Sequence, residues 1–510
     1  MRKSVILIVL DGWGIGREDE SNPIHVINPE SFSWLNANFP VTSLQASGIS
    51  IGLPWGEVGN SEVGHLTLGA GKIVYQYYPK ITLAIKDKSF FENPVLKNAF
   101  RHARENNSGI NLVGLLTKAN VHASLEHVLA LLKMADLEQV ANVKLHLFAD
   151  GKDSPPKTLL GFLGQLPKEK LATLIGRYYA MDRNQNWRLT ETTYGTLTGE
   201  VGLLVTDPKE IIQANYQKGL TEEYLQPIRF GENKKIEEND SVIFFNYRED
   251  GLRQLTEAFA LSDFDKFPVK KFQNLYIATM TRYEEKLPLP VVFEADTVEK
   301  PLGLVLSEAG KTQFRLAETY KYAHITRFFN GFREQPFKNE YRVLIPSIPT
   351  PHPEEHPELR ASAITDRLVD AIQSSAFDFI LVNYSNPDTI AHTSNYDASL
   401  KAVSVVDKEI GRILKVAINP KNALLITSDH GNIEEMLSPD VGLAESQHDP
   451  SPVPFYLVAP EFKGRKFLNW KNLANETMGT LADVAPTILE LLNIPKPAEM
   501  TGRSLLEGLL

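Results

Sequence analysis

Six consecutive apolar residues, Val5-Ile6-Leu7-Ile8-Val9-Leu10, follow the basic pair Arg2-Lys3 at the start of the chain. Unbroken runs rich in β-branched residues mark strands covered on both faces, as in a parallel sheet. Similar runs recur at residues 110–116, 143–149, 242–246, 379–383, 423–427 and 453–458. Between them the apolar positions change period. Over residues 400–416, Val403, Val406, Ile410, Ile413 and Leu414 fall on one helical face. Residues 486–492 predict a further helix, opened by Pro486, whose fixed φ suits a first turn. Strands alternating with helices predict an α/β fold with mostly parallel sheets.

The alternation falters at residues 72–78 and 295–301, where charge and proline break the rhythm. A chain of 510 residues exceeds what one hydrophobic core organises, so two domains are expected. Residues 1–76 with 297–510 would form one, and residues 77–296 an inserted second. The apolar run behind Arg2-Lys3 ends at Asp11, too soon for a secretion signal or a membrane span. No other segment approaches spanning length, so a cytoplasmic protein without a membrane partner is expected. A net charge of -10 argues against nucleic acid as a partner, and any anionic substrate must meet a local basic cluster. The absence of cysteine removes disulfides, thiolate metal sites and cysteine nucleophiles from consideration.

Chemistry gathers where predicted strands end. Asp11 closes the first run, at the strand end where open α/β sheets collect ligands. Asp388 and His392, four apart, follow the run at 379–383, and Asp429-His430 follow the run at 423–427. His448 precedes the run at 453–458. Ser61, in Gly59-Asn60-Ser61-Glu62-Val63-Gly64-His65, is a candidate nucleophile at an exposed turn before a helix-compatible stretch. Serine needs a base or a metal for this role, and by itself the stretch reads more readily as a loop with a capping serine. Any one Asp-His pair could be a structural hydrogen bond. Together with Ser61, the set suits two divalent ions about 3.5–4 Å apart. Mixed carboxylate and imidazole donors favour Mn²⁺ or Zn²⁺.

His352-Pro353-Glu354-Glu355-His356 has the spacing of an inverted zinc-protease motif, but Pro351, Pro353 and Pro357 exclude the helix that motif requires. Residues 77–296 contribute cations instead. Arg177 and Arg183 flank aromatic residues, and Arg248 and Arg253 bracket Glu249-Asp250-Gly251. Such arginines suit bidentate capture of phosphate or carboxylate. Lys152-Asp153 and His122 lie just beyond predicted strands, where a general acid or base could stand.

These motifs, together with Ala317-Glu318-Thr319-Tyr320-Lys321-Tyr322 and Pro452-Val453-Pro454, resemble cofactor-independent phosphoglycerate mutase, of the alkaline phosphatase superfamily, almost end to end. The resemblance implies an alkaline-phosphatase-like domain holding two Mn²⁺ ions, interrupted by a substrate-binding domain. Asp11, Ser61, Asp429 and His430 would bind the ion that activates the serine, and Asp388, His392 and His448 the ion nearer the substrate phosphate. Lys321 would neutralise the phosphoryl group, and Asp153 would exchange protons with the substrate hydroxyls. His122, Arg177, Arg183 and Arg248 would hold the glycerate. The implied reaction interconverts 3-phosphoglycerate and 2-phosphoglycerate through a phosphoserine, with no bisphosphate cofactor, and a monomer is expected.

The chain departs from that family's pattern in the insert. Lys152 stands for the arginine of Asp-Gly-Arg-Asp, and Gly251 for the second arginine of Arg-x-Asp-Arg. Thr117-Lys118-Ala119-Asn120-Val121 replaces Ser-Asp-Gly-Gly-Val. Arg253 is expected either to swing into the space left at Gly251 or to face solvent, while Lys152 retains charge without the planar fork. A hydrolase of the same superfamily and a catalytically silent phosphometabolite sensor are the competing readings; the intact ligand set and Asp153 weigh against them.

Overall fold

The strand Ser4–Leu10 is wholly buried, and its alternate side chains enter two different cores. Ile6, Ile8 and Leu10 pack into one, Val5, Leu7 and Val9 into the other. This two-sided burial is why the run shows no polar alternation. The computed structural model describes residues 4–437, 444–465 and 473–509; Met1, Arg2 and Lys3 lie outside the described residues. The chain divides into two compact units, residues 1–76 with 296–510 and residues 77–295.

In the first unit, Ser4–Leu10 sits at the centre of an eight-stranded sheet. It runs parallel to Phe379–Tyr384 on one side and to Asn422–Thr427 on the other. The register sets Leu10 opposite Tyr384 and Val9 opposite Thr427, so three strands end at one level. Asp11, the turn before Asp388, and Asp429 all lie just beyond those ends. Val453–Val458 and Val41–Gln45 extend the sheet antiparallel, while Gln313–Glu318 and Glu340–Ile345 extend the opposite edge in parallel. The helix predicted over 400–416 spans Tyr396–Ala417, with Asn395 capping it through a bond from the Ala398 amide. The helix containing Pro486 begins two residues earlier, at Val484. Residues 352–356 hold only an exposed single turn, Pro353–Glu355, as their prolines require.

The second unit is built on a seven-stranded sheet in which only Ile228–Arg229 against Leu171–Gly176 pairs antiparallel. Four parallel strands, Ser241–Phe244, Ile110–Leu116, Val143–Ala149 and Leu171–Gly176, lie side by side. The loops leaving the carboxyl ends of the first three carry Arg248, His122 and Asp153 respectively, and Arg177 opens the short helix Arg177–Ala180 directly after the fourth. Expectation and structure agree on the α/β class and on mostly parallel sheets.

Candidate active site

Ser61 is the first residue of the helix Ser61–Ala70, whose N-cap, Asn60, accepts from the Val63 amide. Rather than standing exposed on a turn, it is buried. The glycines around it serve close packing: a Cβ on Gly64 would lie 2.5 Å from the Asp429 carbonyl oxygen, and one on Gly59 2.7 Å from His430 Cβ. Small residues thus let the helix start press directly onto the Asp429-His430 turn.

The Ser61 hydroxyl donates to Asp11 Oδ1 at 3.0 Å, accepts from Lys321 Nζ at 2.7 Å and lies 2.9 Å from His430 Nε2. His430 Nε2 is also 3.4 Å from Asp429 Oδ2 and 3.5 Å from Asp11 Oδ1. Lys321 bridges the two halves of the site, 2.6 Å from Asp11 and 2.5 Å from Asp388. Burial disfavours its charge, but Asp11 and Asp388 outweigh that and raise it above the usual lysine range.

On the other side of Asp388, two imidazoles converge. His392 Nδ1 faces the Ser446 carbonyl at 2.9 Å, and His448 Nδ1 faces the Gly59 carbonyl at 2.7 Å. A carbonyl can only accept, so each Nδ1 carries a proton, and Nε2 is the nitrogen that each ring offers, when neutral, as a metal ligand. Those Nε2 atoms are 3.1 Å apart, and each is 3.2 Å from Asp388 Oδ1. Three electron-pair donors aimed at one place call for a cation between them.

The donor set therefore fits divalent metal. Asp11, Asp388 and Asp429 are buried carboxylates against one lysine, a concentration of negative charge that a divalent ion would offset. Burial lowers His430, but Asp429, Asp11 and Asp388 prevail and push it up to about 9. Positive charge is thus strongly favoured at that nitrogen, whether supplied by a proton or by a metal ion.

Three supporting residues escaped sequence reasoning. His65, one helical turn after Ser61, lies 2.8 Å from the Ser61 carbonyl oxygen and 3.1 Å from Asp429 Oδ2. Asn383 donates to Asp11 Oδ2 at 2.7 Å, and Asn432 to Asp388 Oδ1 at 2.8 Å. The i,i+4 spacing from Ser61 was the one available signal for His65.

The second unit holds a cleft of about 340 Å³ lined by His122, Lys152, Asp153, Arg177, Arg183 and Arg248 among others. Arg177 Nη1 bonds Asp153 at 2.6 Å and Asp150 at 2.7 Å. Arg183 and Arg248 converge on Asp250, at 2.8 and 3.1 Å. His122 stands between the carboxylates, 3.6 Å from Asp153 and 3.5 Å from Asp250. Burial, then Arg177, lowers its pKa below the usual histidine value despite those acids. In the altered loop, Thr117 Oγ1 donates to Asp150 at 2.6 Å, and Asn120 adopts φ +59°, a left-handed conformation that asparagine tolerates.

Of the two places expected for Arg253, the structure matches the surface one: it is not among the residues lining the cleft, and its side chain, 42% exposed, donates from Nε to the Tyr283 carbonyl at 3.1 Å and sits 3.4 Å from Glu284. The space beside Gly251 is taken by Met181, whose Cε would meet an added Cβ at 2.7 Å.

A strand-end cluster of buried carboxylates and imidazoles defines a class, and comparison with known proteins agrees with it. The metalloenzyme superfamily model matches residues 3–496. The 2,3-bisphosphoglycerate-independent phosphoglycerate mutase of Thermomicrobium roseum is 43% identical, with 98% of each chain covered. That of Moorella thermoacetica is 41% identical over 99% of each. Among solved structures, Leishmania mexicana phosphoglycerate mutase at low cobalt concentration matches at 25% identity with a TM-score of 0.53, covering 99% of this chain and 97% of that one. The chain belongs to the 2,3-bisphosphoglycerate-independent phosphoglycerate mutase family, and it is an enzyme.

Proposed function

We propose that the enzyme interconverts 3-phosphoglycerate and 2-phosphoglycerate through a phosphoserine on Ser61, at a site for two Mn²⁺ ions and without a bisphosphate cofactor. One observation carries this reading: Ser61 Oγ, at a helix N-terminus, lies within 3.0 Å of Asp11, His430 and Lys321 together. Asp11, Ser61, Asp429 and His430 would hold one ion, and Asp388, His392 and His448 the other. Bound there, the ions lower the pKa of the serine hydroxyl and offset charge on the phosphoryl oxygens.

In this reading Ser61 Oγ attacks phosphorus as its proton passes to Asp11, the acceptor of its hydrogen bond, and the bond to the glycerate oxygen breaks. Lys321 Nζ balances the charge that develops on the phosphoryl oxygens, aided by the helix N-terminus. Asp153, entering protonated, gives its proton to the departing oxygen; as a carboxylate paired with Arg177 it then takes one from the neighbouring hydroxyl, whose oxygen attacks the phosphoserine, and the Ser61 Oγ–P bond breaks as Oγ regains its proton. His122, Lys152, Arg177, Arg183 and Arg248 hold the glycerate. The first unit acts as the phosphatase-like, metal-binding domain and the second as the substrate-binding domain.

The net charge of -10 argues against a nucleic-acid partner, and a cytoplasmic monomer acting on this small molecule alone is part of the same proposal. No helix among the described residues is long and apolar enough to cross a membrane.

Rapid acid quenching during turnover of 3-phosphoglycerate, followed by peptide mass spectrometry, tests the intermediate. Phosphate is expected on Ser61; turnover with phosphate on another residue would contradict it. Arg253→Ala, removed from the cleft, is expected to change KM for 3-phosphoglycerate by no more than about twofold, as for an ordinary surface position. A tenfold rise would place Arg253 back among the substrate contacts.

A further inference from the structure

The hydrogen bonds around Ser61 close into a ring. Its Oγ donates to Asp11 Oδ1 at 3.0 Å, and the other oxygen of that carboxylate accepts from the Asn383 amide nitrogen at 2.7 Å. The same nitrogen lies 3.0 Å from His65 Nε2, and His65 Nδ1 returns to the Ser61 carbonyl oxygen at 2.8 Å. Chemistry fixes the direction of each bond. A carbonyl only accepts, so His65 Nδ1 carries a proton, and turning the Asn383 amide over would set its oxygen against the Asp11 carboxylate. Nε2 therefore accepts from Asn383, which makes His65 the neutral Nδ1–H tautomer. The Asn383 oxygen is left buried without a partner among the described residues, an unfavourable arrangement that the two engaged N–H groups offset.

All four residues of the ring are buried, and its two supporting members stand on regular elements. His65 lies one turn into the helix Ser61–Ala70, and Asn383 lies in the strand Phe379–Tyr384, in register with Val9. The His324 ring packs against His65 with centroids 5.5 Å apart. We infer that His65 and Asn383 are positioning residues for phosphoryl transfer, which act by locking the Asp11 carboxylate to the first turn of the Ser61 helix. With Oδ2 held by Asn383, the carboxylate is kept from rotating, and Oδ1 stays in place to accept the serine proton. With its carbonyl held by His65, Ser61 keeps Oγ against that oxygen. Such bracing matters because a displacement of about 1 Å at a nucleophile can lower a rate a hundredfold. The inference rests on the reading of Ser61 as the nucleophile.

Two substitutions open the ring at different links. Asn383→Leu keeps the side-chain shape and removes both N–H groups, and His65→Gln removes the donor to the Ser61 carbonyl. In the Mn²⁺-loaded full chain, each is expected to lower kcat by about tenfold to a hundredfold, with KM for 3-phosphoglycerate within about twofold of wild type. The double variant should lose no more than about threefold beyond the worse single one, because a ring is opened only once. Calorimetry should still count the same number of Mn²⁺ ions per chain as in wild type. Nitrogen NMR on histidine-labelled wild type loaded with diamagnetic Mg²⁺ should show His65 protonated at Nδ1 alone. A folded single variant with kcat within twofold of wild type overturns the inference, as does a fully multiplicative loss in the double variant. Loss of an Mn²⁺ ion alongside kcat would assign the pair to the ligand set instead, and a proton on His65 Nε2 would break the ring itself. Acid-quenched wild type separates the two readings: without phosphate on Ser61 the nucleophile is wrong, whereas phosphoserine in wild type with unimpaired variants defeats the positioning role alone.

Discussion

Ser61→Ala is expected to lower kcat for phosphoglycerate interconversion by at least about 10⁴-fold, in keeping with the loss of a catalytic nucleophile elsewhere. Among the described residues, no other hydroxyl shares the position between Asp11, His430 and Lys321. The fold should survive, because the helix is capped by Asn60, not Ser61, and because Lys321 keeps its pairings with Asp11 and Asp388. Metal binding should persist through the remaining carboxylates and imidazoles. Steady-state rates, thermal melting and metal titration on the same sample separate these effects. Retention of more than about a hundredth of the wild-type kcat would show that another group accepts the phosphoryl.

Chelation is expected to abolish turnover, with Mn²⁺ restoring it more fully than Mg²⁺, since three imidazoles stand among the seven candidate ligands. The protonation of His430 adds a second signature. Its pKa is raised to about 9, so at neutral pH an incoming ion must displace a proton from Nε2. The sign follows: apparent affinity for the ion contacting His430 should climb about tenfold per unit between pH 7 and about 9, then level off. Metal titrations at pH 7, 8 and 9 check the slope. Full activity in excess chelator would remove the metal from the account, and a flat affinity across that range would remove His430 from the ligand set.

The central strands were legible because Ser4–Leu10, Phe379–Tyr384 and Asn422–Thr427 are buried on both faces and so appear as unbroken apolar runs. Asp11, Asp388 and Asp429 were legible for a related reason: a carboxylate just after such a run is conspicuous. The strand Gln313–Glu318 was hidden because it buries polar side chains. Arg315 is fully covered, its guanidinium 4.6 Å from the Phe329 ring centre and 5.1 Å from that of Phe379. Periodicity treats such a residue as surface. Asn383 was read as a strand terminus and its amide overlooked, although that amide fixes Asp11. Arg253 is a different case: a vacancy at Gly251 suggested one of its two expected places, whereas Met181 packs directly against Gly251 and the Arg253 Nε donates to the Tyr283 carbonyl, 30 residues away in sequence.

The central claim is that the phosphoryl group leaves one hydroxyl of glycerate for Ser61 and returns to the other. It is tested most directly by giving the purified, Mn²⁺-loaded protein 3-phosphoglycerate and following 2-phosphoglycerate and inorganic phosphate in the same reaction. The account predicts that 2-phosphoglycerate forms to equilibrium while free phosphate stays at background, and release of phosphate in step with substrate loss would contradict it.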